Sequence, residues 1–107
     1  MSLDVYLEEY KPVVVFNSNI THNLTEMARE AGIYYACWRP EDARIKTAEE
    51  LIPVLEKGLS KLKADPTYFK QFNAENGWGV YENFVNWVEE FLIACKEHPN
   101  ATIRIWR

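Results

Sequence analysis

Leu3-Asp4-Val5-Tyr6-Leu7-Glu8 sets an apolar residue at every second position, and Thr102-Ile103-Arg104-Ile105-Trp106-Arg107 does the same at the far end of the 107-residue chain. A period of two marks a strand with one face in a core and the other in water. Strands are therefore expected from residue 3 to about 9 and over 102 to 107, paired within one sheet. Val13-Val14-Val15-Phe16 adds β-favouring residues after Tyr10-Lys11-Pro12, whose proline lacks the ladder donor. The segment reads as a hairpin, or as one strand bent at the proline. Asn17-Ser18-Asn19 is expected to break it, because these side chains bond their own backbone in turns.

The middle of the chain switches to helical spacing. Leu24, Met27 and Ala28, with Asn19 or Thr21 as cap and Gly32 as stop, predict a helix from about 22 to 31. Ile33 to Trp38 has no clear period and reads as a short helix or an irregular stretch, followed by a turn at Arg39-Pro40-Glu41-Asp42. Thr47-Ala48-Glu49-Glu50 is a capping box for a helix with Leu51, Ile52, Leu55, Leu59 and Leu62 on one face; Pro53 predicts a later start or a kink. Asp65-Pro66 ends that helix and caps a short one that would turn Tyr68, Phe69 and Phe72 to the core. After a loop over 73 to 79, Tyr81, Phe84, Val85, Val88, Phe91, Leu92 and Cys95 form the strongest helical stripe, ended by His98-Pro99-Asn100. The expected fold is α+β: a small antiparallel or mixed sheet of N- and C-terminal strands, with three main helices packed mostly on one face, in a single domain over residues 1–107.

Composition excludes several functions. Hydrophobic residues at 48% and aromatics at 14% support a packed core. No apolar run approaches the roughly 20 residues that span a bilayer, and no basic, apolar leader opens the chain, so no membrane partner and a cytoplasmic location are expected. The three Asn-x-Thr triplets then read as turn and cap chemistry. A net charge of −4, from 12 basic and 16 acidic side chains without a dense Lys/Arg block, argues against a nucleic-acid polymer as partner. Cys37 and Cys95 lie far apart without CxxC spacing and are expected to be reduced and structural. His22, Cys37, Cys95 and His98 show no ligand spacing, so no metal is expected. Walker, G-x-S-x-G and G-x-G-x-x-G motifs are missing, and no cofactor is expected.

Four groups could carry chemistry. Asn19, Thr21, His22 and Asn23 leave a strand end for the first turn of a helix, where free amides and directional side chains can hold an anion; the same residues can equally be a plain cap. Tyr34, Trp38 and Arg39 can stack a planar ligand and grip a phosphate or carboxylate, or the aromatics can be core. Asn76-Gly77-Trp78-Gly79 offers an indole as wall or lid, or a turn that tucks Trp78 inside. Arg104-Ile105-Trp106-Arg107 can mediate self-association as an edge, or simply protect that edge with charge.

Asn19-Ile20-Thr21-His22-Asn23-Leu24, Ala31-Gly32-Ile33-Tyr34, Trp38-Arg39-Pro40, Asn76-Gly77-Trp78-Gly79 and Ala94-Cys95-Lys96 together resemble a family of short proteins encoded by bacteriophages and prophages. The likeness covers nearly the whole chain from Ser2-Leu3-Asp4-Val5-Tyr6-Leu7 onward, with a more aromatic Ile105-Trp106-Arg107 terminus as its departure. It implies a context, the host bacterial cytosol, and no activity. Small phage proteins of this size often act by binding. The leading expectation is a pocket for a small anionic or planar, nucleotide-like ligand, built from 19 to 23, 34 to 39 and 76 to 79, serving to sequester a signal used in host defence. The alternative is an interaction module, with a homodimer as one form, that binds or inhibits a host protein through exposed aromatics. An enzyme using His22 as general base or acid is least expected, since no nucleophile or acidic orienter stands near it in sequence.

Overall fold

In the computed structural model, which describes residues 1–10 and 13–107, Leu3, Val5 and Leu7 are fully buried and their alternate neighbours look the other way. They belong to β1 (Ser2–Tyr10), the middle strand of an antiparallel sheet, with β2 (Val13–Thr21) on one side and β3 (Thr102–Trp106) on the other. Register sets Leu3 opposite Ile20, Leu7 opposite Phe16 and Ile103, and Val5 between Ser18 and Ile105, so the inner face is apolar but for Ser18. The outer face carries Asp4, Tyr6 and Glu8 between the exposed Asn17 and Asn19 of β2 and the exposed Arg104 and Trp106 of β3. Arg104 stacks 4.0 Å over the Tyr6 ring and pairs with Glu8 at 3.3 Å.

The interruption expected at Lys11-Pro12 lies outside the described residues; the strands flanking it pair antiparallel. The break expected at Asn17-Ser18-Asn19 does not occur. These residues pair with Tyr6, Val5 and Asp4 and continue β2 to Thr21, because ladder bonds to a central strand outweigh their preference for turns.

The helices follow the periodic segments. A 3₁₀ turn, His22–Leu24, leads into α1 (Thr25–Glu30), so the continuous helix expected over 22 to 31 is split in two. Gly32 closes it at φ 81°, and the undecided stretch after it forms α2 (Tyr34–Trp38) and a second 3₁₀ turn (Pro40–Ala43). The long helix α3 spans Ala48–Ala64; Pro53 lies inside it and does not delay its start. The capping box is present: Glu50 accepts the N–H groups of Lys46 at 3.0 Å and Thr47 at 3.1 Å, and those bonds hold its carboxyl below the ordinary range. Asp65 caps α4 (Pro66–Lys70), and α5 spans Tyr81–Glu97.

Core packing joins these layers. Leu51, Leu55 and Leu62 of α3 and Phe84, Val88 and Phe91 of α5 are fully buried, each worth about 1.5–3 kcal/mol of transfer free energy. Phe91 stacks on Phe16 with centroids 5.9 Å apart, tying α5 to β2. Gly58 lets α3 close on Ile33, whose side chain occupies the place a Cβ at 58 would need. Trp87, outside the expected stripe, is also buried among Trp38, Phe84 and Phe91. Tyr68 departs from expectation: its ring is exposed and its hydroxyl donates to Glu30, while Phe69 alone of that short helix enters the core. Cys37 and Cys95 are free and buried, and burial raises both thiols, Cys95 to about 12. Among the described residues no helix is long and apolar enough to cross a membrane.

Candidate functional site

The end of β2 decides where the chemistry can sit. Thr21 is the last strand residue, and its hydroxyl accepts the Asn23 N–H at 3.2 Å, which tightens the chain into the 3₁₀ turn. One residue apart, His22 and Asn23 then leave that turn in different directions.

His22 turns toward the core. Its Nδ1 accepts the indole N–H of Trp38 at 2.8 Å, which fixes the imidazole as the Nε2–H tautomer. Trp38 is 2% exposed and stacks on Tyr34 with centroids 5.9 Å apart and planes 13° from parallel. The Arg29 guanidinium covers the Tyr34 ring at 3.9 Å, and the Tyr34 hydroxyl accepts the Arg39 Nε–H at 3.4 Å. Trp38 therefore has no free face for a planar ligand. Tyr34 is committed to Arg29 and Trp38, and Arg39 leans on Tyr34. The expected 34 to 39 wall is a structural stack.

Asn23 turns outward. Its side-chain N–H donates to the Trp78 carbonyl at 2.7 Å, joining the strand end to a loop 55 residues away in sequence. That loop is braced from within: Trp78 N–H donates to Asn76 Oδ1 at 2.9 Å, Ala74 N–H to the Gly79 carbonyl at 2.9 Å, and Tyr81 N–H to Asn73 Oδ1 at 2.8 Å. Gly79 is the closest approach. At φ 122° it adopts backbone that other residues avoid, and a Cβ there would stand 3.1 Å from Asn23 Cβ and 3.2 Å from Thr21 Cγ2.

Between strand end and loop lies an open recess of about 510 Å³, within the usual range of small-molecule clefts of roughly 300–1,000 Å³. Asn19, Thr21, Asn23, Asn76 and Trp78 line it, so five of the nine expected site residues meet there; His22, Tyr34, Trp38 and Arg39 do not. The structure adds Met1, Ser2, Ile20, Leu24 and Asn83. Asn83 sits on the exposed side of α5, where an asparagine carries no sequence signal of its own.

The lining has a distinct chemistry. Four carboxamides and the Thr21 hydroxyl supply both donors and acceptors, Ile20 and Leu24 form an apolar floor, and the Trp78 indole stands 73% exposed at the rim. Among the described residues no lysine, arginine, aspartate or glutamate side chain lines the recess. Arg39, expected to grip an anion, is bonded to Tyr34 away from the recess, and the segment after Thr21 is a single 3₁₀ turn followed by a six-residue helix. Among the described residues no group of three His, Cys, Asp or Glu side chains is placed to hold a metal ion. No protein-family model matches the chain, and no curated protein or solved structure gives a significant match. The likeness to short phage-encoded proteins rests on its motifs alone.

Proposed function

We propose that the protein is a small-molecule binding protein whose ligand is planar and uncharged where it is held, with a hydrogen-bonding edge of the kind a nucleobase presents. The observation that carries this reading is the recess itself: four asparagines that can each donate and accept, beside an exposed indole that can stack. Carboxamides pair with alternating donors and acceptors in the plane of a heterocycle, and an aromatic face beneath it contributes about 1–3 kcal/mol per stacked base in single-stranded nucleic-acid complexes. A nucleotide-like signal fits through its base. Its phosphates would face solvent, since among the described residues no lysine or arginine side chain lines the recess. In the phage context that the motifs suggest, such a protein would act by sequestering the signal.

A second reading, a module that binds a host protein, draws on the exposed outer face of the sheet, where Trp106 is 67% exposed beside Arg104. A thermal-shift panel of nucleosides, nucleotides, cyclic dinucleotides and ADP-ribose, read together with tryptophan fluorescence, separates the two. The small-molecule reading expects a rise in melting temperature, quenching that disappears in Trp78→Ala, and a nucleoside that binds as well as its nucleotide. No response to any of these compounds, with a folded protein, refutes it.

A further inference from the structure

A second opening lies at the other edge of the sheet. β3 is an edge strand, and the chain around Lys46 and Thr47 begins to pair with it: Ile103 N–H donates to the Lys46 carbonyl and Ala48 N–H to the Ala101 carbonyl, both at 2.9 Å, around a bridge between Thr47 and Thr102. One residue further back, that pairing should continue beside Arg104 and Ile105. It stops instead. Arg44 takes the left-handed conformation (φ 59°, ψ 35°), alone in this among the described non-glycine residues, and Ile45 N–H bonds back to the Pro40 carbonyl at 2.9 Å. The chain is thereby carried away from the sheet.

Backbone groups alternate sides along a strand, so the groups of Ile103 and Ile105 share the side that faces Lys46, away from β1. Ile105 N–H and C=O have no hydrogen-bond partner there among the described residues. The place a fourth strand would occupy is a cleft of about 580 Å³ floored by Ile45, Ile103 and Ile105. Among the described residues the side chains of Arg44, Lys46 and Arg107 stand around it against one acidic side chain, Glu41, in a chain whose net charge is −4. Arg107 is already engaged, donating to the Trp38 carbonyl at 2.9 Å and pairing with Glu41. Arg44 and Lys46 are exposed and make no ion pair among the described residues.

We infer that this cleft receives an extended, acidic peptide segment of a partner protein, which adds to β3 as a fourth strand and sets its carboxylates against Arg44 and Lys46. Main-chain bonds to the open edge give such a partner its register, the isoleucine floor takes its inward side chains, and the cations select its charge. A strained residue at the mouth of a cleft also belongs to the class of features that persist where structure serves binding. This site is separate from the recess at Trp78 and does not depend on what that recess holds.

The test is fluorescence anisotropy of the full chain with a labelled six-residue peptide alternating glutamate and valine. Binding is expected, and it should weaken about tenfold or more in Arg44→Glu/Lys46→Glu. Because Lys46 lies beside the Glu50 cap, the neutral pair Arg44→Gln/Lys46→Gln is measured with it; both variants should melt cooperatively, and the neutral pair should also weaken binding. Methylating alternate backbone nitrogens of the peptide should abolish binding, and a lysine–valine repeat should not bind. The proposal is overturned if no peptide binds the folded wild type, or if the methylated or the lysine peptide binds as well as the acidic one. It is overturned equally if free glutamate or inorganic phosphate displaces the peptide at its own concentration, which would make the cleft a small-anion site. Concentration-dependent dimerisation that the double variant abolishes would show a second copy of the chain to be the occupant, and would overturn it too.

Discussion

His22 and Asn23 are neighbours in one 3₁₀ turn and each is bonded to a tryptophan residue, yet one tryptophan is 2% exposed and the other 73%. On the His22 side the indole N–H is satisfied by an imidazole, and the ring stacks on Tyr34 and meets Trp87 at a tilt. On the Asn23 side only the tryptophan backbone is held, and the ring is left to solvent. The first arrangement holds the 3₁₀ turn onto the core. The second fixes a loop while leaving its large side chain free, which is what a binding surface needs from a preorganised wall. Substitutions on the two sides should therefore differ in kind, with stability lost on one and binding on the other.

The largest effect is expected at Trp38. Truncation to alanine removes a filled volume between Tyr34 and Trp87 and orphans His22 Nδ1, so about 3–5 kcal/mol should be lost in chemical denaturation. A loss under about 1 kcal/mol would mean that Trp38 is not the core residue described above.

Gly79→Ala comes next, and it joins the two sides. The substitution forces an L-residue to φ 122° and presses a methyl group against Asn23 and Thr21. Strain of that type costs about 1–3 kcal/mol, and relief by shifting the loop would also widen or close the recess. A melting temperature matching wild type would show the loop to be looser than its bonds imply.

His22→Ala should cost less, about 1 kcal/mol, because the half-buried indole N–H left behind can recruit water. Ligand affinity at the recess should hardly change. If His22→Ala abolished binding while stability held, the imidazole would belong to the site and the division between the two sides would fail.

Much of this fold was legible because it rests on periodic patterns. The alternation in Leu3-Asp4-Val5-Tyr6-Leu7, the stripe from Tyr81 to Cys95 and the Thr47/Glu50 box each encode a local structure that tertiary contacts reinforce. Asn17-Ser18-Asn19 misleads because propensity describes an isolated segment, whereas β1 offers these residues a ladder. The site was legible only in part, for a related reason. Tyr34-Tyr35-Ala36-Cys37-Trp38 and Asn76-Gly77-Trp78-Gly79 both present aromatics in short irregular-looking segments, and whether an indole faces inward depends on what packs over it. Glycine was the better guide. Two glycines around Trp78 at positive φ belong to a tight, exposed loop, while the segment around Trp38 has none and forms a helical turn over the core. Asn83 and the Arg44–Lys46 cleft carry no local pattern and come from the topology alone.

The smallest effect on stability, and the sharpest use of the comparison, is at Trp78. Its ring makes no aromatic contact among the described residues, and its hydrogen bonds all run through the backbone, which alanine retains. Trp78→Ala should consequently stay within about 0.5 kcal/mol of wild type in denaturant titration. Binding should respond quite differently, since loss of a stacking face worth about 1–3 kcal/mol corresponds to roughly a tenfold weakening or more. The two readouts must separate for the outward tryptophan and move together for the inward one. A Trp78→Ala protein that unfolds readily would place this ring in the fold's own packing, and one that binds the ligand unchanged would move the ligand out of the recess.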